Sequence, residues 1–99
     1  MSNQQHRIEI TTLCRYYQVE QTFFSRLSDI GLIETITIEN SQCVAETDIR
    51  QIDKIIRLYR ELDINPEGID VIMNLLDRID DLEQRLTATQ NRLGLYENH

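Results

Sequence analysis

Glycine and proline are nearly missing from this sequence, three and one in 99 residues, which leaves little chain for linkers or disorder. The chain should be ordered nearly end to end. No apolar run approaches the ~18 residues that a membrane span requires, and the opening Met1 to Arg7 is polar. A cytoplasmic protein with no membrane contact is the expectation. Cysteine is sparse too: Cys14 and Cys43 stand singly among apolar neighbours, without the dense, even spacing of a disulfide framework. They read as two reduced core thiols. The two histidines, His6 and His99, lie at the chain ends, and there is no Cys-x-x-Cys, no His-x-x-x-His and no phosphate-cradling glycine loop. No catalytic residue, metal ligand or cofactor site is therefore expected, and the chain is not predicted to be an enzyme. Positive charge is also short. Ten Lys plus Arg against 17 Asp plus Glu give a net charge of −7, the wrong sign for clinging to phosphate backbones.

What is present is amphipathic periodicity. Arg7 to Ile10 reads as a short extended start, after which Thr11 or Thr12 can cap a brief helix carrying Leu13, Cys14 and Tyr17 inward. A second helix starts near Glu20, with Val19, Phe23, Leu27 and Ile30 on one side and Gly31 as its C-terminal cap. Two short helices joined by a tight turn make a helix-turn-helix. From Leu32 to Ala45 the pattern becomes β-branched, Thr35 to Ile38, then a turn at Asn40-Ser41 and a return strand Gln42 to Val44. That is a hairpin where a wing would lie. Thr47 or Asp48 opens a third helix with the stripe Ile49, Ile52, Ile56 and Tyr59, widened by Ile55, Leu58 and Leu62. Asn65-Pro66-Glu67 then combines an N-cap, a proline at the first helical position and an acid at the positive end of the dipole. The helix starting there can run to about Tyr96, ~45 Å at ~1.5 Å per residue, about twice what the third helix can cover.

The uncovered half keeps a heptad. With Ile72, Ile79, Leu86 and Leu93 at a and Leu75, Leu82 and Tyr96 at d, only Thr89 breaks the seam. A homodimer through a short coiled coil is expected, with Ile79, Leu82, Leu86, Leu93 and Tyr96 as its seam. The charges beside the seam, Arg78, Arg85 and Glu83, leave parallel and antiparallel arrangements open. On the opposite side of the same helix lie Asp70, Asn74, Asp77, Asp80 and Asp81. A rigid helix cannot wrap six or more oxygens around Ca²⁺, so these read as a solvated acidic stripe open to a positively charged partner. The face Arg50, Lys54 and Arg57 on the third helix has Asp53 and Glu61 close by and reads as a surface of i, i+4 pairs.

A winged helix-turn-helix suggests DNA, with the second helix in the major groove. The polar members of that helix are Glu20, Gln21, Thr22, Ser25, Arg26 and Asp29, one arginine against two carboxylates. Beside the wing stand Glu34, Glu39 and Glu46 and no Lys or Arg. DNA binding should be weak or absent.

The order Ile10-Thr11-Thr12-Leu13-Cys14, then Ile30-Gly31-Leu32-Ile33-Glu34, then Ile56-Arg57-Leu58 before Leu62, and Asn65-Pro66-Glu67-Gly68-Ile69 leading into Leu75-Leu76, resembles the MerR-like chaperone-modulator family typified by CbpM. The resemblance spans nearly the whole chain. The fold expected is mainly α, a MerR-like winged helix-turn-helix head with a small β-hairpin wing, followed by a helical hairpin and a C-terminal coiled-coil helix. The head covers 1–64 and the long C-terminal helix, its distal half coiled coil, covers 65–99, the two forming one structural unit. The resemblance also implies a regulator that binds the J domain of a CbpA/DnaJ-type co-chaperone and restrains both its chaperone stimulation and its DNA binding. J domains of that kind present a basic helix, which an acidic competitor suits. The alternative is a MerR-type DNA-binding transcriptional regulator, since the Gly-Leu-Ile-Glu and Pro-Glu-Gly-Ile stretches are shared with such proteins. A purely structural dimerisation module fits the elaborate head less well.

Overall fold

The computed structural model describes the backbone of residues 6–97 and the side chains of residues 6–94, so the side chain of Tyr96 and all of His99 lie outside the described residues. In chain order the elements are β1 (Arg7–Glu9), α1 (Ile10–Tyr17), α2 (Gln21–Asp29), β2 (Ile36–Ile38), β3 (Ser41–Ala45), a 3-10 turn (Glu46–Asp48), α3 (Ile49–Glu61) and α4 (Pro66–Glu97). The fold is mainly helical with one small antiparallel sheet, as the sequence predicts. By compactness the chain divides into a first unit, Met1–Ile69, and a second, Asp70–His99.

In the first unit the helix-turn-helix is built from local chemistry. Helix α1 ends where Gln18 takes the left-handed conformation, and the Val19 N–H donates back to the Cys14 carbonyl at 3.1 Å. Helix α2 ends in a Schellman turn. Gly31 has φ +84°, its N–H reaches the Ser28 carbonyl, and the Leu32 N–H reaches that of Leu27 at 2.8 Å. Gly31 is the expected cap because an L side chain is disfavoured at that φ. The start of α1 departs from expectation. It begins at Ile10, with Glu9 in the capping position and no side-chain cap bond, because Thr11 and Thr12 already sit inside the first turn.

The sheet also differs from the predicted hairpin. Residues Arg7 to Glu9 are its third strand, pairing Ile8 with Val44, so the order is β1-β3-β2. The tight turn is Glu39-Asn40, one residue earlier than expected, because Ile38 pairs with Ser41 and both loop residues have positive φ, 49° and 67°.

The core is formed by Ile10, Leu13, Phe24, Leu27, Val44, Ile52, Ile55 and Ile69, all buried. Phe24, adjacent to the predicted stripe on α2, is its largest buried side chain. Cys43 is buried and Cys14 half-buried, both as free thiols, and burial pushes the Cys14 thiol above its ordinary value. Helix α4 starts as predicted. The Gly68 N–H donates to Asn65 Oδ1 at 2.8 Å, Pro66 is the first helical residue, and Ile69 is fully buried. The second unit is the rest of α4, unbroken through Gly94.

Candidate partner-binding surface

Because α4 is continuous, about 100° per residue sets which side each residue takes. The acidic set and the heptad set then centre on nearly opposite sides. Asn74, Asp77, Asp80 and Asp81 are exposed, and Asp70 is half-buried. Asp81 is paired with Arg85 at 3.1 Å, and Asp80 accepts a hydrogen bond from Gln84 at 3.0 Å. Asp77 and Asn74 have no such tie among the described residues. The stripe is thus largely unneutralised, since an exposed i, i+4 pair offsets one charge weakly. Among the described residues no group of three His, Cys, Asp or Glu is placed to hold a metal ion.

The seam residues carry the opposite character. Ile79, Leu82, Leu86 and Leu93 are all at least half exposed in the single chain, as are other α4 apolar residues such as Val71. A file of large aliphatic side chains along one helix is an apolar face without cover. Tyr96 belongs to this set by sequence, and its side chain lies outside the described residues.

On the helix-turn-helix, Gln21, Thr22, Ser25, Arg26 and Asp29 are exposed on α2, as a reading surface requires. The one arginine there is occupied, since Arg26 is ion-paired with Glu67 in the first turn of α4. The wing exposes Glu34 and Glu39, with Ile36 and Ile38 partly exposed on the edge strand β2. On α3, Arg57 pairs with Asp53 at 3.2 Å, as the i, i+4 reading expects, while Arg50 and Lys54 are exposed.

A helix-turn-helix with a wing, followed by a long C-terminal helix, is the architecture that a family comparison can decide. The sequence model of the MerR HTH family of regulatory proteins matches residues 8–91. The chain belongs to that MerR family. The family is regulatory, and the match runs from β1 into the distal part of α4. No curated protein matches the chain. Among the described residues, no helix of this MerR-family chain is long and apolar enough to cross a membrane.

Two connections in the MerR-type head were not visible in the sequence. Arg60 on α3 donates to the Gln18 carbonyl at 2.8 Å and also to that of Tyr17, so a guanidinium closes the C-terminal end of α1. Tyr17 donates its hydroxyl to Asp53 Oδ1 at 3.3 Å. Burial first, and the Asp53 carboxylate second, raise the Tyr17 hydroxyl above its ordinary value. The folded value lies above the unfolded one, so the contribution is present below about pH 10 and is lost as pH rises through the folded value. Tyr17→Phe should cost about 0.5–1 kcal/mol at neutral pH, because the bond is long and half-exposed. Chemical denaturation above pH 10 should then show a smaller gap between the two proteins than at pH 7; a constant gap would separate the bond from the titration.

Proposed function

We propose that this MerR-family chain is a non-enzymatic, cytoplasmic modulator of the CbpM type, which binds the J domain of a CbpA/DnaJ-type co-chaperone and acts as a homodimer. The observation that carries the reading is the charge of the surfaces a DNA-binding relative would use. Arg26, the one arginine of α2, is engaged by Glu67, and the wing presents carboxylates. Among the described residues, α2 and the wing offer one arginine, itself ion-paired, against several carboxylates, too few cations to release many counterions from a duplex. The acidic side of α4 supports a basic protein partner instead, and Asn74, Asp77, Asp80 and Asp81, with Asp70 at its edge, are the proposed contacts. The apolar file Ile79, Leu82, Leu86, Leu93 and Tyr96 supports the dimer seam.

Calorimetry and stopped-flow binding to a purified J domain test this reading with two double variants. Asp77→Lys with Asp80→Lys is chosen because Asp81 is already paired with Arg85. It should slow association several-fold and weaken its salt dependence, with melting nearly unchanged, as rim charges do. Arg50→Glu with Lys54→Glu should leave J-domain binding intact. The reverse pattern moves the contact to α3, and absence of any J-domain binding by the unmutated chain rejects the modulator reading. The DNA-binding alternative is checked by incubation with a random duplex pool at ~0.15 M salt. Retention at nanomolar concentration, typical of specific binders, would restore it.

A further inference from the structure

We propose that the head carries a second binding surface, a groove between α1 and α3 that takes a short peptide segment with one large apolar anchor beside one or two carboxylates. The groove lies wholly within the first unit, measures about 500 Å³ and is floored by Ile8, Leu13 and Ile49. One wall is aromatic. Tyr16 is 77% exposed and stands edge-on to Tyr17, with ring centroids 4.9 Å apart and planes at 83°. Tyr17 is in turn held by its hydroxyl on Asp53, and Asp53 is held by Arg57. Tyr17 is therefore positioned before any ligand arrives, which lowers part of the ordering cost of binding.

A single exposed tyrosine is ordinary on a protein surface. Here it borders a cleft of ligand-binding size lined also by Ile8, Leu13 and Ile49, and Tyr and Arg are residue types enriched at binding hot spots. Charge selects the occupant. Of the two charged residues lining it, Asp53 is engaged by the Arg57 guanidinium and the Tyr17 hydroxyl, while Arg50 is exposed and forms no ion pair among the described residues. One uncommitted guanidinium over an apolar floor fits a carboxylate adjacent to an apolar anchor. The net charge of −7 disfavours a heavily acidic partner, which limits the carboxylates to one or two. A lone arginine is also too few cations for a nucleic-acid backbone. The exposure of Tyr16 leaves one side open, a shape for a segment of chain crossing the groove rather than for an enclosed small molecule.

The test selects displayed random peptides on the immobilised full chain. The enriched peptides are then synthesised and titrated by fluorescence anisotropy. They should share a large apolar residue next to Asp or Glu. Tyr16→Ala and Arg50→Glu should each weaken binding by at least about tenfold, and Arg50→Lys should retain most of it. Thr12→Arg, which fills the groove from an exposed position on α1, should also block binding and guards against misfolding of any one variant. Circular dichroism and melting of all four should match the unmutated chain. The proposal is overturned if no peptide is enriched, if the enriched set is basic or lacks an apolar anchor, or if titrations with the folded variants are unchanged. Retention of a DNA duplex that Arg50→Glu abolishes overturns it as well, because the lip would then be a phosphate contact.

Discussion

With α4 as the proposed dimer seam, Leu82→Asp combined with Leu86→Asp should leave the protein monomeric at micromolar concentration, where the unmutated chain is expected to be a dimer. Both leucines are more than half exposed in the single chain, one helical turn apart on the same side of α4. If that side is a seam, each chain would bring two carboxylates into an apolar contact, and burying even one unpaired charge costs several kcal/mol. The helix itself should survive, because aspartate lowers helix propensity by only about 0.7 kcal/mol per residue relative to alanine. The buried core of the first unit includes neither leucine, so its near-ultraviolet signal should be unchanged. Light scattering reads the mass directly. A monomeric mass for the unmutated chain would falsify the seam.

Phe24→Ala should melt the head. Phe24 is 1% exposed and is the largest fully buried side chain, packed edge-on to Phe23 at 5.7 Å, which in turn stacks on Tyr59 at 4.3 Å. Truncating a buried phenylalanine costs about 3–5 kcal/mol through lost transfer energy plus the cavity left behind. For a domain of this size each kcal/mol moves the melting temperature by roughly 4–8 °C, so a fall of at least roughly 12 °C is expected. Calorimetry gives the value, and a fall of only a few degrees would mean that the helix-turn-helix repacks around the loss. In that case α2 is less a fixed platform than its burial implies.

How far the architecture was legible from residues alone depended on the distance over which each signal acts. The start of α4 was legible because Asn65, Pro66 and Glu67 act within one turn, and Asn65 makes the capping bond its position foretold. The end of α2 was legible for the same reason, through Gly31. The hairpin turn was misplaced by one residue because Glu39 adopts positive φ without being a residue type that advertises it, while neighbouring Asn40 does. The extended state of Arg7 to Glu9 was legible, but its place as a third strand was not, because three residues carry no signal for a partner that lies far along the chain. On the candidate surface, the helical period groups Asp77 and Asp80 on one side of α4, and both are exposed there. It was silent about Arg26, whose availability is decided by Glu67, far along the chain. The α1/α3 groove was not read at all, since Tyr16 and Arg50 lie far apart along the chain and line one cleft only in the fold.

The separation of β1 from β3 along the chain has an expected kinetic consequence. Strands β2 and β3 are joined by a two-residue loop and can zip in microseconds, whereas β1 must find β3 from about three dozen residues away along the chain. Until it does, β3 presents an unpaired edge carrying Cys43 and Val44, open to the same edge on another newly made chain. Refolding yield should therefore fall as protein concentration rises, and a chain that begins at Ile10 would keep that edge open permanently. By covering that edge, Arg7 to Glu9 are expected to limit aggregation during folding, and a bulky tag placed directly against Arg7 should lower the refolding yield.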